Sequence, residues 1–275
     1  MLWSGGQPRS FTVCSFFRRI VYKNIDNAGH VSGIMNALRR SEAIFSGKET
    51  SFMDYRHEIK HIISAGDAAA IRANLSAVAS IDPHAREKGY YRIRSLYFDD
   101  PLDTALREKL DGVNERRKFR IRYYNDDLNY IMLECKIKRD GVGCKPQERL
   151  TAEEVQRILR GDIAWMATCR RPLLTALYVD MKVRRLAPRT VVEYKRVPFV
   201  YGPGNVRVTI DWAIRTGAPR DFLDPNGLTL PIEDDVTLLE VKWDGYLPGV
   251  IRKAAALKSR MPTAFSKYAA CRVSN

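Results

Sequence analysis

The stretch Arg117-Lys118-Phe119-Arg120-Ile121-Arg122-Tyr123 alternates basic and apolar side chains from Lys118 onward. Side chains two residues apart on a strand lie on the same face, so one face is basic and the other apolar. The stretch Leu133-Glu134-Cys135-Lys136-Ile137-Lys138 repeats the pattern with a carboxylate in the charged row. The two stretches therefore predict neighbouring strands of a sheet that has one strongly charged face.

The same alternation recurs along the chain and predicts a sheet of eight strands. The predicted strands are residues 54–63, 90–99, 115–124, 130–138, 143–149, 190–200, 205–214 and 236–243. An antiparallel sheet of eight strands can close into a barrel, so the fold class expected is α+β, an eight-stranded antiparallel β-barrel with flanking helices. Residues 51–275 are expected to form this domain. Residues 1–50 lack clear periodicity and are expected to be an N-terminal extension, with one helix near residues 31–40.

Capping signals predict the helices between the strands. Ser64, with Asp67 three residues on, opens a helix that ends near Ala79, and the capping box of Thr151 and Glu154 opens another at 152–160. Further helices are predicted at 173–185 and from Pro248 to residue 260. Gly202-Pro203-Gly204 predicts a turn between two strands.

Composition narrows the class of partner. The 275 residues include 46 Lys and Arg against 32 Asp and Glu, a net charge of +14, which indicates a polyanionic partner. With 45% hydrophobic residues the chain has enough apolar material for a core, and no stretch is long and apolar enough to span a membrane. Five cysteines without a CxxC pair indicate free thiols, and no secretory signal is evident, so a cytoplasmic location is expected.

The charged faces separate the candidate partners. A sheet with one solvated face also alternates, but such a face mixes Ser, Thr and Gln with Lys, whereas these faces are rich in Arg, Lys and Glu. If the faces point inward, a barrel lumen would hold many cations and several carboxylates, and would need a multiply charged anion to compensate them. Phosphate chains fit, because phosphoryl oxygens accept from Arg and Lys while the carboxylates bind a hard divalent ion.

In order and spacing, several motifs together resemble the VTC domain, the polyphosphate polymerase member of the triphosphate tunnel metalloenzyme (CYTH-like) superfamily. The resemblance covers about residues 55–271. Besides the two stretches quoted above, the motifs are Arg56-His57-Glu58-Ile59-Lys60, Ser95-Leu96-Tyr97-Phe98-Asp99, Tyr194-Lys195-Arg196, Arg207-Val208-Thr209-Ile210-Asp211, Leu239-Glu240-Val241-Lys242-Trp243-Asp244-Gly245-Tyr246-Leu247-Pro248 and Phe265-Ser266-Lys267-Tyr268.

The resemblance implies a tunnel that binds ATP and inorganic polyphosphate and uses Mn²⁺ or Mg²⁺. By the matching positions, the implied catalytic residues are Lys60, Arg120, Arg122, Lys136 and Arg196. The further implied phosphate contacts are Arg94, Lys145, Arg149, Arg207, Lys242 and Lys267. Glu240 is the implied metal carboxylate, with Glu58 and Glu134 as further metal-site carboxylates. A membrane partner protein that exports the product is a further expectation.

One departure and several alternatives remain open at this stage. The wider superfamily often begins with ExExK, whereas the first glutamate position here is Arg56, which weakens transfer from triphosphatases. A triphosphatase or a non-catalytic polyphosphate-binding module would use the same tunnel. Residues 57–61 match the zinc protease motif HExxH, but their alternation favours a strand. Nucleic-acid binding is disfavoured because glutamates accompany the basic residues, and a Walker A loop is absent.

Overall fold

The computed structural model describes residues 56–85, 87–139, 142–232, 235–257 and 261–274. These residues contain one antiparallel sheet. Its strands are β1 (Arg56–Ile63), β2 (Ser80–Ile81), β3 (Tyr91–Asp99), β4 (Arg116–Tyr124), β5 (Ile131–Arg139), β6 (Val142–Cys144), β7 (Gln147–Leu150), β8 (Ala187–Tyr201), β9 (Val206–Gly217), β10 (Thr229–Pro231) and β11 (Thr237–Asp244). The predicted N-terminal extension and its helix at 31–40 lie outside the described residues.

Six α-helices accompany the sheet in the described ranges. They are α1 (Ala65–Ser76), α2 (Thr104–Leu110), α3 (Ala152–Leu159), α4 (Pro172–Val183), α5 (Gly249–Ala254) and α6 (Lys267–Val273). None of these helices is long and apolar enough to cross a lipid bilayer. Residues 163–186, which include α4, belong to a compact unit separate from the one that contains the sheet.

The sheet confirms the α+β antiparallel prediction. Its hydrogen-bonded order is β1-β11-β9-β8-β3-β4-β5-β6, with β10 on β9, β2 on β8 and β7 on β5. Each predicted strand is present, and the one predicted at 143–149 is divided into β6 and β7. The division falls at Lys145 and Pro146, where proline has no N–H for the ladder, and Cys135 N–H instead donates to Pro146 O at 3.1 Å. The strands β2 and β10 are too short for periodicity to indicate them.

The tunnel is formed by an open sheet that curls strongly, and not by a sheet whose first and last strands are hydrogen-bonded to each other. In the described residues β1 and β6 are not paired with each other, so the sheet has two edges where the sequence predicts a closed barrel. Even so, Lys60 of β1 and Lys242 of β11 lie close enough to Lys136 of β5 to help burial lower its pKa, while Glu58 and Glu240 oppose them. Strands from opposite ends of the sheet order therefore face each other across one lumen.

Helices pack on both faces of the curled sheet. On the outer face, α1 and α5 cover an apolar cluster that includes Leu75, Phe199, Val208 and Ile251. On the inner face, α6 packs Tyr268 and Cys271 among apolar residues of β3, β8, β9 and β11. An apolar plug therefore occupies part of the inner face, and the rest of that face carries the charged rows.

Local signals explain the predicted helix starts. Ser64 and Asp67 form a reciprocal capping box at α1, as do Thr151 and Glu154 at α3, so both predicted caps are confirmed. The predicted turn at 202–204 is also present as a 3₁₀ turn between β8 and β9. Gly204 has a φ of +71°, and a Cβ there would meet Tyr246 O at 2.5 Å, so glycine is required.

Candidate phosphate-binding tunnel

The register of the strands assigns the charged rows to the inner face. Arg122 lies opposite Ser95, and Arg120 lies opposite both Tyr97 and Glu134. The same parity continues through Arg196 and Asp211 on the far side of β3. The inner-face residues that the sequence predicts as site residues are Glu58, Lys60, Arg120, Arg122, Glu134, Lys136, Arg149, Arg196, Arg207, Glu240 and Lys242.

Glu240 is the centre of the first charged cluster. Its Oε1 lies 3.2 Å from Lys242 Nζ and 3.5 Å from Lys60 Nζ, and its Oε2 lies 3.4 Å from Arg196 Nη2. Burial alone would raise the pKa of this carboxyl, but the surrounding cations hold it well below its usual range. Glu58 shares the ammonium groups of Lys60 and Lys242. The two glutamates are thus held together by a pair of lysines.

Asp211 extends this cluster toward α6. The Arg196 guanidinium donates to both of its oxygens, at 2.6 and 2.7 Å, and Lys267 Nζ lies 2.6 Å from Oδ2. Despite burial, these two cations lower the pKa of Asp211. The Lys267 ammonium also lies 4.6 Å from the Tyr194 ring centroid, so the first residue of α6 contributes its charge to the lumen.

Glu134 is the centre of a second cluster, on β4, β5 and the β6–β7 break. Arg120 Nε donates to Oε2 at 2.6 Å, and Lys145 Nζ donates to Oε1 at 2.8 Å. Burial opposes ionisation, but Arg120, Arg122 and Lys145 lower the pKa of Glu134 to about 2. Glu134 is therefore engaged with Arg and Lys of its own cluster and does not join the Glu58–Glu240 pair.

Acidification is expected to remove the stabilisation that Glu134 provides. Its pKa is lower in the folded than in the unfolded chain, so the contribution, about 3 kcal/mol, is fully present above pH ~4.3 and is lost as the pH falls through about 2. Glu134→Gln should lower the free energy of unfolding at neutral pH and flatten its acid dependence over that window. Denaturant titrations along a pH series measure this, with the surface substitution Glu153→Gln as control. Acid slopes of equal steepness for Glu134→Gln and wild type would contradict the assignment.

Arg122 is a buried cation whose hydrogen bonds go to hydroxyl groups. The residue is 5% exposed, its Nε donates to Ser95 Oγ at 2.8 Å and its Nη2 donates to Tyr194 OH at 3.4 Å. Burial would lower its pKa, but nearby tyrosines, Tyr194 first, keep the group protonated. Charge without a directly bonded carboxylate, in a desolvated position, is a feature of sites that receive an anion.

The remaining predicted contacts lie around these clusters. Arg207 donates to Tyr91 OH and lies 3.4 Å from Asp82 Oδ2. Arg149 is exposed at the other side of β5, where it donates to Asn129 O at 2.7 Å. The register thus places most predicted residues on the inner face, and the Arg149 guanidinium on that face bonds to the β4–β5 loop.

The prediction that Arg94 contacts phosphate in the tunnel is corrected by its position on the outer face of β3. The register pairs it with Tyr123 and Glu193, on the outer face, one residue out of step with Ser95 and Arg122. It is 2% exposed, its Nε donates to Glu193 at 2.7 Å, and its Nη1 donates to the carbonyl oxygens of Asp221 and Asp224. Arg94 therefore anchors the loop after β9 and does not line the tunnel.

Arg94→Leu is expected to reduce stability with little change in phosphate binding. Breaking this buried ion pair leaves Glu193 without its partner, and the free energy of unfolding should fall by about 3 kcal/mol. Affinity for inorganic tripolyphosphate, measured below the melting temperature, should stay within about twofold of wild type. A variant with a normal melting temperature that loses tenfold or more in tripolyphosphate affinity would show that Arg94 contacts the ligand in the tunnel.

The HExxH alternative is wrong for this fold. Residues 57–61 lie in β1, so the histidines lack the helical spacing that a zinc protease requires, and His57 stacks on Trp243 with ring centroids 5.2 Å apart. Within the described ranges, three or more His, Cys, Asp or Glu side chains do not gather into a metal-binding group. The described cysteines, at positions 135, 144, 169 and 271, are free thiols, as predicted.

Several lumen residues were not among the predicted site residues. Asp211 had the right parity in the sequence, but only the structure shows that it fixes Arg196 and Lys267. Tyr97 accepts from Arg120 Nη1 at 3.1 Å, and cations, Arg120 first, lower its pKa to about 8 against the effect of burial. Thr209 lies opposite Glu240, and its buried hydroxyl has no hydrogen-bond partner among the described residues.

The sequence model of a family described as "VTC domain" matches residues 55–274 of this chain. No curated protein sequence matches the chain. Similar solved structures include a Bacillus halodurans protein provisionally assigned as an adenylate cyclase (12% identity, 69% of this chain and 79% of that one, TM-score 0.41). A second is the PH1012 protein from Pyrococcus horikoshii OT3, with 12% identity over 78% of this chain and 98% of that one and a TM-score of 0.41. A third is a conserved hypothetical protein from Pyrococcus furiosus, with 13% identity over 74% of this chain and 92% of that one and a TM-score of 0.38.

Proposed function

The chain belongs to the VTC domain family, and from this we propose that it is a polyphosphate polymerase. In this proposal the lumen binds ATP and transfers its γ-phosphoryl group to the end of a growing inorganic polyphosphate chain. The bond between the β–γ bridging oxygen and Pγ breaks, ADP leaves, and a terminal oxygen of the chain bonds to Pγ. The substrates expected are ATP and polyphosphate, both polyanions that suit the net charge of +14.

The observation that carries the proposal is the buried Arg122 guanidinium. Its direct donors point at hydroxyl oxygens, Ser95 Oγ and Tyr194 OH, rather than at carboxylates. Beside it, Arg120 donates to Glu134 and to Tyr97, and these two bonds use only part of the five N–H donors of its guanidinium. Two forks two residues apart on one strand face are suited to successive phosphoryl groups of one chain.

Phosphoryl transfer asks mainly for positioning and charge neutralisation, which these residues supply. Arg120, Arg122 and Arg196 are fixed by hydrogen bonds within the protein, so their charges need little reorganisation when charge moves toward the leaving ADP. Lys60 and Lys136 add ammonium groups from opposite sides of the lumen. The acceptor oxygen of a polyphosphate end is already deprotonated, so a strong general base is unnecessary.

The residues present fit a divalent cation at one place in the lumen. Glu240 and Glu58 share the Lys242 ammonium, 3.2 and 3.6 Å away. Thr209 lies opposite Glu240, and among the described residues its hydroxyl has no hydrogen-bond partner. One or two carboxylates with substrate oxygens is the usual set for Mg²⁺, and Mn²⁺ also prefers oxygen ligands. When bound, such an ion would neutralise charge on the β- and γ-phosphoryl oxygens. Glu134, engaged by Arg120 and Lys145, does not fit this role.

Arg56 favours polymer synthesis over triphosphate hydrolysis. At the position where the wider superfamily often has the first glutamate of ExExK, Arg56 donates to Asn205 O at 2.9 Å and lies 3.6 Å from Asp244. The cluster accordingly has fewer carboxylates for a metal and an attacking water. Delivery of the product to a membrane partner protein and a cytoplasmic site of action remain predictions from the sequence.

Incubation of the purified protein with ATP and Mn²⁺, followed by gel analysis for polyphosphate and an assay of free phosphate, tests the proposal. Long chains with little phosphate are the expected result. Release of free phosphate without polyphosphate chains would show that the protein is a triphosphatase and not a polymerase. Neither product, with retained binding of tripolyphosphate, would indicate a polyphosphate-binding module.

A further inference from the structure

Helix α6 lies on the inner face of the sheet and carries Lys267, so the contacts that fix α6 also fix this ammonium group. Lys267 is the first residue of α6, and its Nζ lies 2.6 Å from Asp211 Oδ2 on β9. A lysine ammonium sits on a flexible four-carbon stem. Its place in the lumen therefore depends on how firmly the backbone of α6 is held.

Tyr268, the next residue of α6, is bonded to the end of β3. Its hydroxyl donates to Asp99 Oδ2 at 2.5 Å, and both residues are fully or almost fully buried, at 2% and 0% exposure. Burial first, and the Asp99 carboxylate next, raise the pKa of Tyr268, so the hydroxyl remains a donor at neutral pH. A hydrogen bond to a carboxylate is stronger than one between neutral groups. The bond is thus a firm connection between α6 and β3.

Asp99 is itself fixed by the segment in which it lies, residues 99–106, which we call the β3–α2 junction. Its Oδ1 accepts from the N–H groups of Asp100 and Ala105, at 2.9 and 2.8 Å, and its Oδ2 accepts from that of Leu106 at 3.0 Å. Backbone donors therefore already satisfy both oxygens. The bond from Tyr268 adds a connection between α6 and the junction, and does not fill an unmet need of the carboxylate.

A second link joins α6 to the same junction. Arg272 donates to both oxygens of Asp103, each at 3.1 Å. Tyr268 and Arg272 lie four residues apart, on one side of the helix. The ring of Tyr268 also stacks on that of Tyr97, with centroids 4.9 Å apart. The helix is therefore held along its length by the β3–α2 junction, while Lys267 at its start reaches toward β9.

We propose that Tyr268 and Asp99 are positioning residues, which hold α6 so that the Lys267 ammonium meets the phosphoryl groups of the bound chain. The inference rests on the proposed function, since it takes Lys267 as a phosphate contact. With α6 held, the ammonium turns from Asp211 to a phosphoryl oxygen by rotation of its own side chain. With α6 released, binding must also order the helix, and this ordering lowers affinity.

Calorimetric binding of inorganic tripolyphosphate to the full chain tests the proposal without requiring turnover. Tyr268→Phe keeps the ring and removes the hydroxyl, and should lower the affinity about three- to tenfold. Lys267→Gln should lower it about tenfold or more. Because Tyr268 acts through Lys267, adding Tyr268→Phe to Lys267→Gln should cost less than about twofold more. Losses that multiply in the double variant, unchanged affinity in Tyr268→Phe, or wild-type affinity in Lys267→Gln would each overturn the proposal.

Tyr123→Phe is the matched control. The Tyr123 hydroxyl is also a buried donor, to Phe222 O at 2.6 Å, but it lies on the outer face of β4. This control should lower the melting temperature about as much as Tyr268→Phe does, and leave tripolyphosphate affinity within about twofold of wild type. An equal loss of affinity in the two variants would mean that any buried tyrosine bond has this effect, and would contradict a specific role of Tyr268.

The ¹⁵N signal of the Lys267 ammonium gives a readout that a loss of stability alone does not move. Assigned by its loss in Lys267→Gln and measured well below the melting temperature, it should shift or broaden in Tyr268→Phe. The same should hold for Arg272→Gln, which removes the other link, and Tyr123→Phe should leave the signal unchanged. An unchanged signal in both α6 variants would refute the positioning role. Absence of polyphosphate in the ATP assay would reject the polymerase and leave these binding and spectroscopic results standing.

Discussion

Glu240→Gln is expected to abolish divalent-dependent turnover, by about a hundredfold or more. The carboxyl is ionised at neutral pH because Lys242, Lys60 and Arg196 hold its pKa well below the usual range. An amide keeps the shape and removes the negative charge, so it cannot serve as the carboxylate ligand of a divalent ion. The substitution thus separates the charge of Glu240 from its packing.

The same substitution should also affect the free protein. Without the carboxylate, Lys60, Lys242 and Arg196 retain Glu58 and Asp211 as their ion-pair partners among the described residues. The free energy of unfolding should therefore fall by about 3 kcal/mol. Tripolyphosphate should restore part of this loss, because an anion replaces the missing charge.

Turnover across a Mn²⁺ titration and the Mn²⁺-dependent rise in melting temperature with tripolyphosphate bound measure the two effects of Glu240→Gln. Glu153→Gln, on the surface of α3, is the control. Near-normal turnover at saturating Mn²⁺, or an unchanged Mn²⁺ stabilisation, would remove Glu240 from the metal site.

The sequence predicts those strands and helices whose residues show a local pattern, such as alternation or a capping box, and misses those that lack one. Period-two alternation gave the strands that form the sheet path, because one face of each strand is charged and the other packs beneath helices. Local caps gave α1 and α3. By contrast, α2 begins after Asp103, which has a φ of +52° and makes no capping side-chain bond; the N–H groups of Ala105 and Leu106 donate instead to Asp99 at the end of β3, a spacing that the usual cap signals do not cover.

The sequence mispredicts or misses site residues for two reasons: it does not show which face of a strand lines the lumen, and it does not show contacts between residues far apart in the chain. Alternation indicates that Arg94 and Ser95 lie on opposite faces, but it does not indicate which face lines the lumen, and the resemblance implies that Arg94 points inward. The structure assigns Ser95 inward and uses Arg94 to bind Glu193 and a loop more than a hundred residues away. Likewise, the bond of Lys267 to Asp211 depends on α6 folding back into the curl, which no local pattern specifies.

Arg120→Ala with Arg122→Ala is expected to lower triphosphate affinity by well over tenfold. Each charge-assisted contact contributes about 1.5–3 kcal/mol, and the two guanidinium groups lie on one face of β4. The loss has a second source. Glu134 keeps Lys145 but loses the bond from Arg120 Nε at 2.6 Å, so more of its negative charge faces the ligand.

The loss should be similar for ATP, GTP and tripolyphosphate, because Arg120 and Arg122 present guanidinium groups to phosphoryl oxygens and the strand offers nothing that distinguishes the bases. Isothermal titration of the three ligands measures it, with Arg160→Ala, Arg220→Ala as a surface control of equal charge. The Lys double variant at 120 and 122 keeps the charge without the fork and should fall between wild type and the alanine variant. A variant that loses ATP but retains tripolyphosphate would show instead that these arginines contact the nucleoside, and that the phosphate chain lies along the other charged cluster.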